Sequence, residues 1–296
     1  MYRLSRRSCL AAFATLAVAG TSRPRAAGKL KVVTTFTILE DMVRNVGGEH
    51  VERTTLVGPD GDAHVYEPTP ADARALARAD LVVANGLGFE GWIDRLVKVS
   101  GYRGPVVVAS EGTAVLTAAE NRPDPHTWQD LANGRLHVAN IVRALAAADP
   151  AHADDYHRRA EAYDRDLAAL DREVKSRLIA FPRDRRKVIT SHDAFRYFGR
   201  AYGIDFRAPV GLSTDSAPSA GEVAALIRQM RDEGIHAVFV ENITDPRLVG
   251  QLAREAGAVI GGRLYSDSLS GPTGPAPTYL DMFRHNVGEI AKAVAQ

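Results

Sequence analysis

The sequence predicts an α/β protein of two βα-repeat lobes, with mainly parallel sheets, joined by one long rigid helix. Three observations predict it. Apolar, β-branched runs alternate with helix-period runs from 30 to 110, and the same alternation returns from 187 onward. Between these tracts, residues 151–180 contain no Gly and no Pro and carry a single apolar stripe.

In chain order, residues 30–35 form an apolar strand run, and 38–46 have helical spacing that stops at Gly47-Gly48. Residues 51–57 read as a strand, 71–79 as a short helix, 81–84 as a buried strand, 92–99 as a helix and 105–109 as a strand. In the central stretch Tyr156, Ala160, Tyr163, Leu167, Leu170, Val174 and Leu178 recur every three or four residues. That is one face of one helix, with Pro150 at its start and Pro182 at its stop. Thirty residues at about 1.5 Å each span roughly 45 Å, longer than a lobe is wide. The second tract reads as a strand at 187–190, a helix through Phe195 and Tyr202, a strand at 205–209 and a helix at 220–233. A strand at 237–240, a helix at 246–256, a strand region at 258–264 and a final helix from about Thr278 complete it. The expected organisation is a leader over 1–27, a first lobe over 28–149, the linking helix over 150–181 and a second lobe over 182–296.

Composition narrows the function. Of 296 residues, 45% are hydrophobic and 25% charged, as in an ordinary globular protein. Residues 1–27 hold five Arg and no acid, so the remaining chain has more acid than base. This gives no electrostatic case for nucleic-acid binding. Arg3, Arg6 and Arg7 precede an apolar run from Cys9 to Ala19, and Ala17-Val18-Ala19 offers a cleavage site, with a second after Ala27. The run is too short to span a bilayer, so export to the periplasm is expected without membrane embedding. Ser5-Arg6-Arg7-Ser8 resembles a twin-arginine motif, though Cys9 replaces the usual aromatic, and the general secretory route stands beside it. Cys9 is the only cysteine. The mature chain therefore has neither disulfides nor thiolate metal ligands.

Four loop residues carry the chemistry: His64, His126, His192 and Asp267. Three imidazoles and one carboxylate make a good ligand set for a divalent transition metal. His64 lies in a strand-to-helix loop, His126 between Pro123, Pro125 and Thr127-Trp128, His192 directly after a strand, and Asp267 after another. Such loops at strand C-termini are where open α/β sheets bind ligands. No two of the four share a helix turn, so spacing alone is not specific. His50, His152, His157, His236, His285 and His137 read as surface or structural residues.

The stretches 61–68 (GDAHVYEP), 124–128 (DPHTW), 190–198 (TSHDAFRYF) and 264–269 (LYSDSL) carry a resemblance. So do 85–92 (NGLGFEGW) and 238–242 (VFVEN). Together they resemble the periplasmic metal-binding proteins of zinc and manganese ABC transporters, the cluster A-I or TroA-like family, over essentially the whole mature chain. The resemblance implies one ion in the inter-lobe cleft, with His64 and His126 from the first lobe and His192 and Asp267 from the second. It implies docking on a membrane permease with a cytoplasmic ATPase, by a protein expected to be a monomer. Manganese-type members often carry Glu at the third ligand position, so His192 leans towards Zn²⁺. The His-rich loop common in zinc-specific members is absent from 111–125, which keeps Mn²⁺ or dual uptake as the alternative. Asp62, Glu67, Asp193 and Glu241 are candidates to hold the imidazole tautomers from behind.

Three other readings compete. Gly86-Leu87-Gly88-Phe89-Glu90-Gly91 matches the G-x-G-x-x-G dinucleotide fingerprint, with Glu111 twenty residues on. A metallohydrolase would need an open metal position and a base such as Glu67 or Asp193. An adhesin is a label some family members carry. The expected role is capture and not catalysis.

Overall fold

The computed structural model describes residues 28–118 and 121–295. The expected leader, with Arg3, Arg6, Arg7 and Cys9, lies outside the described residues.

The first sheet contains β1 (Leu30–Phe36), β2 (Val51–Val57), β3 (Leu81–Ala84) and β4 (Val106–Val108), in the order β2-β1-β3-β4 with every pair parallel. Parallel neighbours need crossovers, supplied here by α1 (Thr37–Gly47), α2 (Pro70–Arg78) and α3 (Ile93–Ser100). Coverage on both faces explains why β3 is buried throughout and why β1 is nearly so. Local chemistry fixes the helix starts. Thr69 and Asp72 form a reciprocal capping box ahead of Pro70, and Asp130 caps α4 (Leu131–Ala148) through the Ala132 N–H.

A 3-10 turn at Pro150–His152 leads into α5 (Ala153–Ile179). Its buried residues are the seven of the apolar stripe. This helix is not a free-standing strut. It lies along α4 and α1 and also packs on α6 and α9 of the following lobe.

The second sheet repeats the first. Strands β5 (Lys187–Ile189), β6 (Asp205–Arg207), β7 (Ala237–Glu241) and β8 (Val259–Leu264) run parallel in the order β6-β5-β7-β8. Its helices are α6 (Arg196–Tyr202), α7 (Ala220–Glu233), α8 (Pro246–Ala256) and α9 (Tyr279–Val294). Gly234, at φ 64°, ends α7 in a left-handed turn that a β-carbon would strain.

One apolar core runs through both lobes, from Phe36 and Trp128 past Tyr163 and Leu167 to Phe198, Tyr279 and Phe283. A smaller core, with Ile189, Leu226, Val238 and Leu252, lies between the second sheet and α7–α8. Asp41 adds a polar tie across the large core. Its buried carboxylate accepts the Tyr279 N–H at 3.0 Å and the Tyr163 hydroxyl at 3.3 Å, joining α1, α9 and α5.

Candidate metal centre

Each of the four ligand candidates follows the C-terminal end of a strand, and the two sheets present those ends to each other. His64 follows β2, His126 follows β4, His192 follows β5 and Asp267 follows β8. One potential ligand atom from each lies within 4.8 Å of every other. His64 Nε2 is 3.3 Å from His126 Nε2 and 3.2 Å from Asp267 Oδ2. His192 Nε2 is 3.1 Å from the same oxygen, and His126 Nε2 3.8 Å. A tetrahedron of metal–ligand bonds of about 2.05 Å has edges of about 3.3 Å, so these separations suit one enclosed ion. The side chains are buried; that of His64 is the most open, at 4%.

The loops are stiffened locally. Asp62 and Asp124 stand two residues before a histidine, and each accepts that histidine's backbone N–H, at 2.9 and 3.0 Å. These Asx turns fix the backbone just where each imidazole leaves it. The Trp92 indole donates to the Ala63 carbonyl at 2.8 Å, and the His64 ring stands edge-on to Phe89 at 4.7 Å.

The rings are also held from behind, and the four sequence candidates for this role differ. Glu241 takes the His192 backbone N–H on Oε1 at 2.8 Å, while its Oε2 sits 2.6 Å from His192 Nδ1. Asp62 holds the backbone of His64 and receives the Thr214 hydroxyl at 2.5 Å, across the cleft. Asp193 faces Arg196 at 3.7 Å. Glu67 is exposed. The partner of the His126 ring is Asp124, which sequence reasoning passed over. Its Oδ1 lies 2.8 Å from His126 Nδ1. The signal was present in the repeated Asp-x-His spacing of the first two loops. With Nδ1 of His126 and of His192 each against a carboxylate, Nε2 of both is left to face the centre.

Charge follows this geometry. Burial pushes the Asp267 carboxyl up, but the imidazoles of His192 and His126 outweigh it and hold the group far below the usual carboxylate range. Burial disfavours the His192 cation, but Glu241 and Asp267 outweigh that and raise its pKa well above the ordinary value. Burial lowers the pKa of His64. His137 is fully buried, with Nε2 2.9 Å from the Thr127 hydroxyl, and desolvation lowers its pKa to about 3. It belongs to the packing behind the His126 loop.

The G-x-G-x-x-G stretch is a tight turn of another kind. Glu90 folds back so that its buried carboxylate accepts the Asn85 N–H at 2.7 Å, the Gly86 N–H at 3.1 Å and the Thr35 hydroxyl at 2.6 Å. Two backbone donors at the mouth of this turn are thus already bonded to the Glu90 carboxyl.

A profile of the family described as zinc-uptake complex component A, periplasmic (ZnuA), matches residues 32–293. The chain is 35% identical to the iron-binding protein YfeA of Yersinia pestis, over 95% of this chain and 92% of that protein. It is 34% identical to the manganese-binding lipoprotein MntA of Bacillus subtilis, over 95% and 96% of the two chains. Among solved structures it is similar to the periplasmic zinc-binding protein TroA of Treponema pallidum. That likeness has a TM-score of 0.87 and 32% identity, over 91% of this chain and all of that one.

Proposed function

We propose that this chain, which belongs to the ZnuA family of periplasmic metal-uptake components, captures a divalent transition metal outside the cytoplasm and passes it to an ABC importer. Members of the family are substrate-binding proteins and not enzymes. One observation carries the reading: His64, His126, His192 and Asp267 converge in a buried cluster, with carboxylates behind two of the rings. A hydrolytic metal needs an open position and a poised base. Here four donors enclose the centre, Glu67 is exposed, and Asp193 faces Arg196.

Zinc is the favoured cargo. Imidazole suits Zn²⁺, which stands above Mn²⁺ in the Irving–Williams order, and the edge lengths suit four-coordination. Manganese or dual uptake is supported by a different observation. Asp267 Oδ1 is buried without a hydrogen-bond partner among the described residues, so a bidentate carboxylate could supply a fifth ligand. The relatives named for iron, manganese and zinc keep both readings alive. The partner in this reading is a membrane permease with a cytoplasmic ATPase. Among the described residues, no helix is long and apolar enough to cross a membrane.

The test is a chelator-competition titration of the metal-stripped mature protein with Zn²⁺ and Mn²⁺ in parallel. One site per chain, much tighter for zinc, supports zinc uptake. Comparable affinities move the assignment to manganese or dual uptake. Failure to bind either ion in one-to-one ratio refutes capture.

A further inference from the structure

Asp267 follows β8 of the second lobe, yet the tip of its loop, from Ser266 to Leu269, is bonded mainly to the first. The Ser266 carbonyl accepts the Trp128 indole N–H at 2.8 Å and the Gln129 amide at 2.6 Å. On the other side of Asp267, the Leu269 N–H donates to the Thr37 hydroxyl at 2.8 Å. The Ser268 hydroxyl donates to the Gly58 carbonyl at 3.2 Å, and the Asp60 N–H to the Leu269 carbonyl at 3.1 Å. From the second lobe, Asn242 reaches the same stretch at 3.4 Å to the Ser266 N–H and 3.2 Å to the Ser268 carbonyl, and Asn286 of α9 holds Tyr265 by its N–H at 2.9 Å and its carbonyl at 2.7 Å, at the base of the loop. Ser266, Asp267, Ser268, Thr37 and Gln129 are all buried. Pulling the loop away from the first lobe would strand buried donors and acceptors.

His192 is held the opposite way. Its backbone N–H and Nδ1 both go to Glu241 of β7, and the next residue's N–H donates to the Gly211 carbonyl at 3.2 Å. These partners belong to the second lobe.

We propose that the first lobe positions Asp267 through Thr37, Trp128 and Gln129, so that His64, His126 and Asp267 form a three-ligand half-site, which His192 closes as the single second-lobe ligand. This rests on the metal-capture reading and deepens it. The division of ligands is three to one, where the resemblance implies two to two. Entry and release then need only the His192 loop after β5 to shift, while the loop bonds around Asp267 stay intact. The shift is short, because α6 begins four residues later and docks on the first lobe. The Tyr197 hydroxyl donates to the Asp124 carbonyl at 2.9 Å and accepts the Leu116 N–H at 2.9 Å.

The experiment titrates Co²⁺ into the metal-stripped mature chain, reading stoichiometry and the visible absorption that reports coordination geometry. His192→Ala should still bind one Co²⁺ per chain, more weakly, with the fainter spectrum of a higher-coordinate ion. Added imidazole should restore the intense four-coordinate spectrum. In that background Thr37→Val and Gln129→Met should each weaken Co²⁺ binding by about 10- to 100-fold, and Thr37→Ser should restore it. If His192→Ala does not fold by circular dichroism, His192→Asn carries the same test. Loss of one-to-one binding in a folded His192 variant would overturn the half-site. So would a Thr37→Val change that leaves its affinity within a factor of two. Failure of the unsubstituted chain to bind Co²⁺ or Zn²⁺ would overturn the capture reading itself, and this inference with it.

Discussion

Replacing Glu241 by Gln isolates the charge behind His192 while keeping the shape of the site. The carboxylate is buried, with Oε2 2.6 Å from His192 Nδ1 and Oε1 on the His192 backbone N–H at 2.8 Å. Adding the imidazole and a metal–nitrogen bond puts its charge roughly 6.5 Å from an ion on Nε2. In the metal-free protein His192 holds a proton, since Glu241 and Asp267 outweigh burial and raise its pKa well above the ordinary value. Binding therefore exchanges one positive charge for two. At an effective dielectric of about 20, the imidazolium of the metal-free protein, about 4 Å from Glu241, is attracted by about 4 kcal/mol and the two charges of the ion by about 5 kcal/mol, so the carboxylate favours binding by about 1 kcal/mol. Losing that charge term should weaken Zn²⁺ binding by roughly 5-fold, which the tautomer raises towards the range of about 10- to 100-fold typical of residues behind a metal ligand. The tautomer acts in the same direction. A Gln amide facing Nδ1 would donate to it and leave the proton on Nε2, where the ion must bind. The assay is chelator competition on Glu241→Gln and the unsubstituted chain at neutral pH, with a thermal melt to show that both fold. A folded variant whose affinity stays within a factor of two would refute the reasoning.

Other outcomes follow from the same geometry. Metal binding near neutral pH should release about one proton per ion, from His192, and affinity should fall as pH falls; calorimetry in buffers of different ionisation enthalpy measures the count, and affinity unchanged down to about pH 5 would contradict it. His64→Ala should abolish tight binding, whereas His137→Ala should keep one ion per chain and lose roughly 2 kcal/mol of stability; equal loss of binding in both would mean the ligands are misassigned. His137 is neutral when folded, with a pKa of about 3 against about 6.5 unfolded, so its contribution is present above about pH 6.5 and erodes as pH falls towards about 3. Urea midpoints of the metal-free chain between neutral and about pH 4.5 should therefore drop, and drop less in His137→Gln. Because one core passes through both lobes and α5, small-angle scattering should show only a slight compaction on metal binding; a large change in radius of gyration would refute a shared core.

Much of this was legible before any coordinates, because periodicity reports burial. The stripe from Tyr156 to Leu178 became the buried face of α5, residue for residue, and the apolar runs at 30–36 and 81–84 became strands covered on both faces. The four candidate ligand loops were legible from residue type and from their place after strands, although nothing in the spacing says that they meet. What stayed hidden depends on contacts between distant loops. Asp124 stands two residues from His126, but which carboxylate meets Nδ1 depends on the ring's rotamer.

The lobe that owns Asp267 was hidden for a deeper reason. Chain order assigns it to the second lobe, as it follows β8, and the family resemblance repeats that assignment. Ownership in the mechanical sense is decided by hydrogen bonds, and those around Asp267 reach back to Thr37, Gly58, Asp60, Trp128 and Gln129. None of these pairings leaves a periodic trace. Thr37 opens a helix, Gly58 and Asp60 sit in a turn, and Gln129 lies in a single 3-10 turn before α4. The polar groups that position a ligand are the ones a pattern of apolar spacing is blind to. A sequence can therefore name the atoms that bind an ion while leaving open which body carries them, and that division decides how the ion is let go.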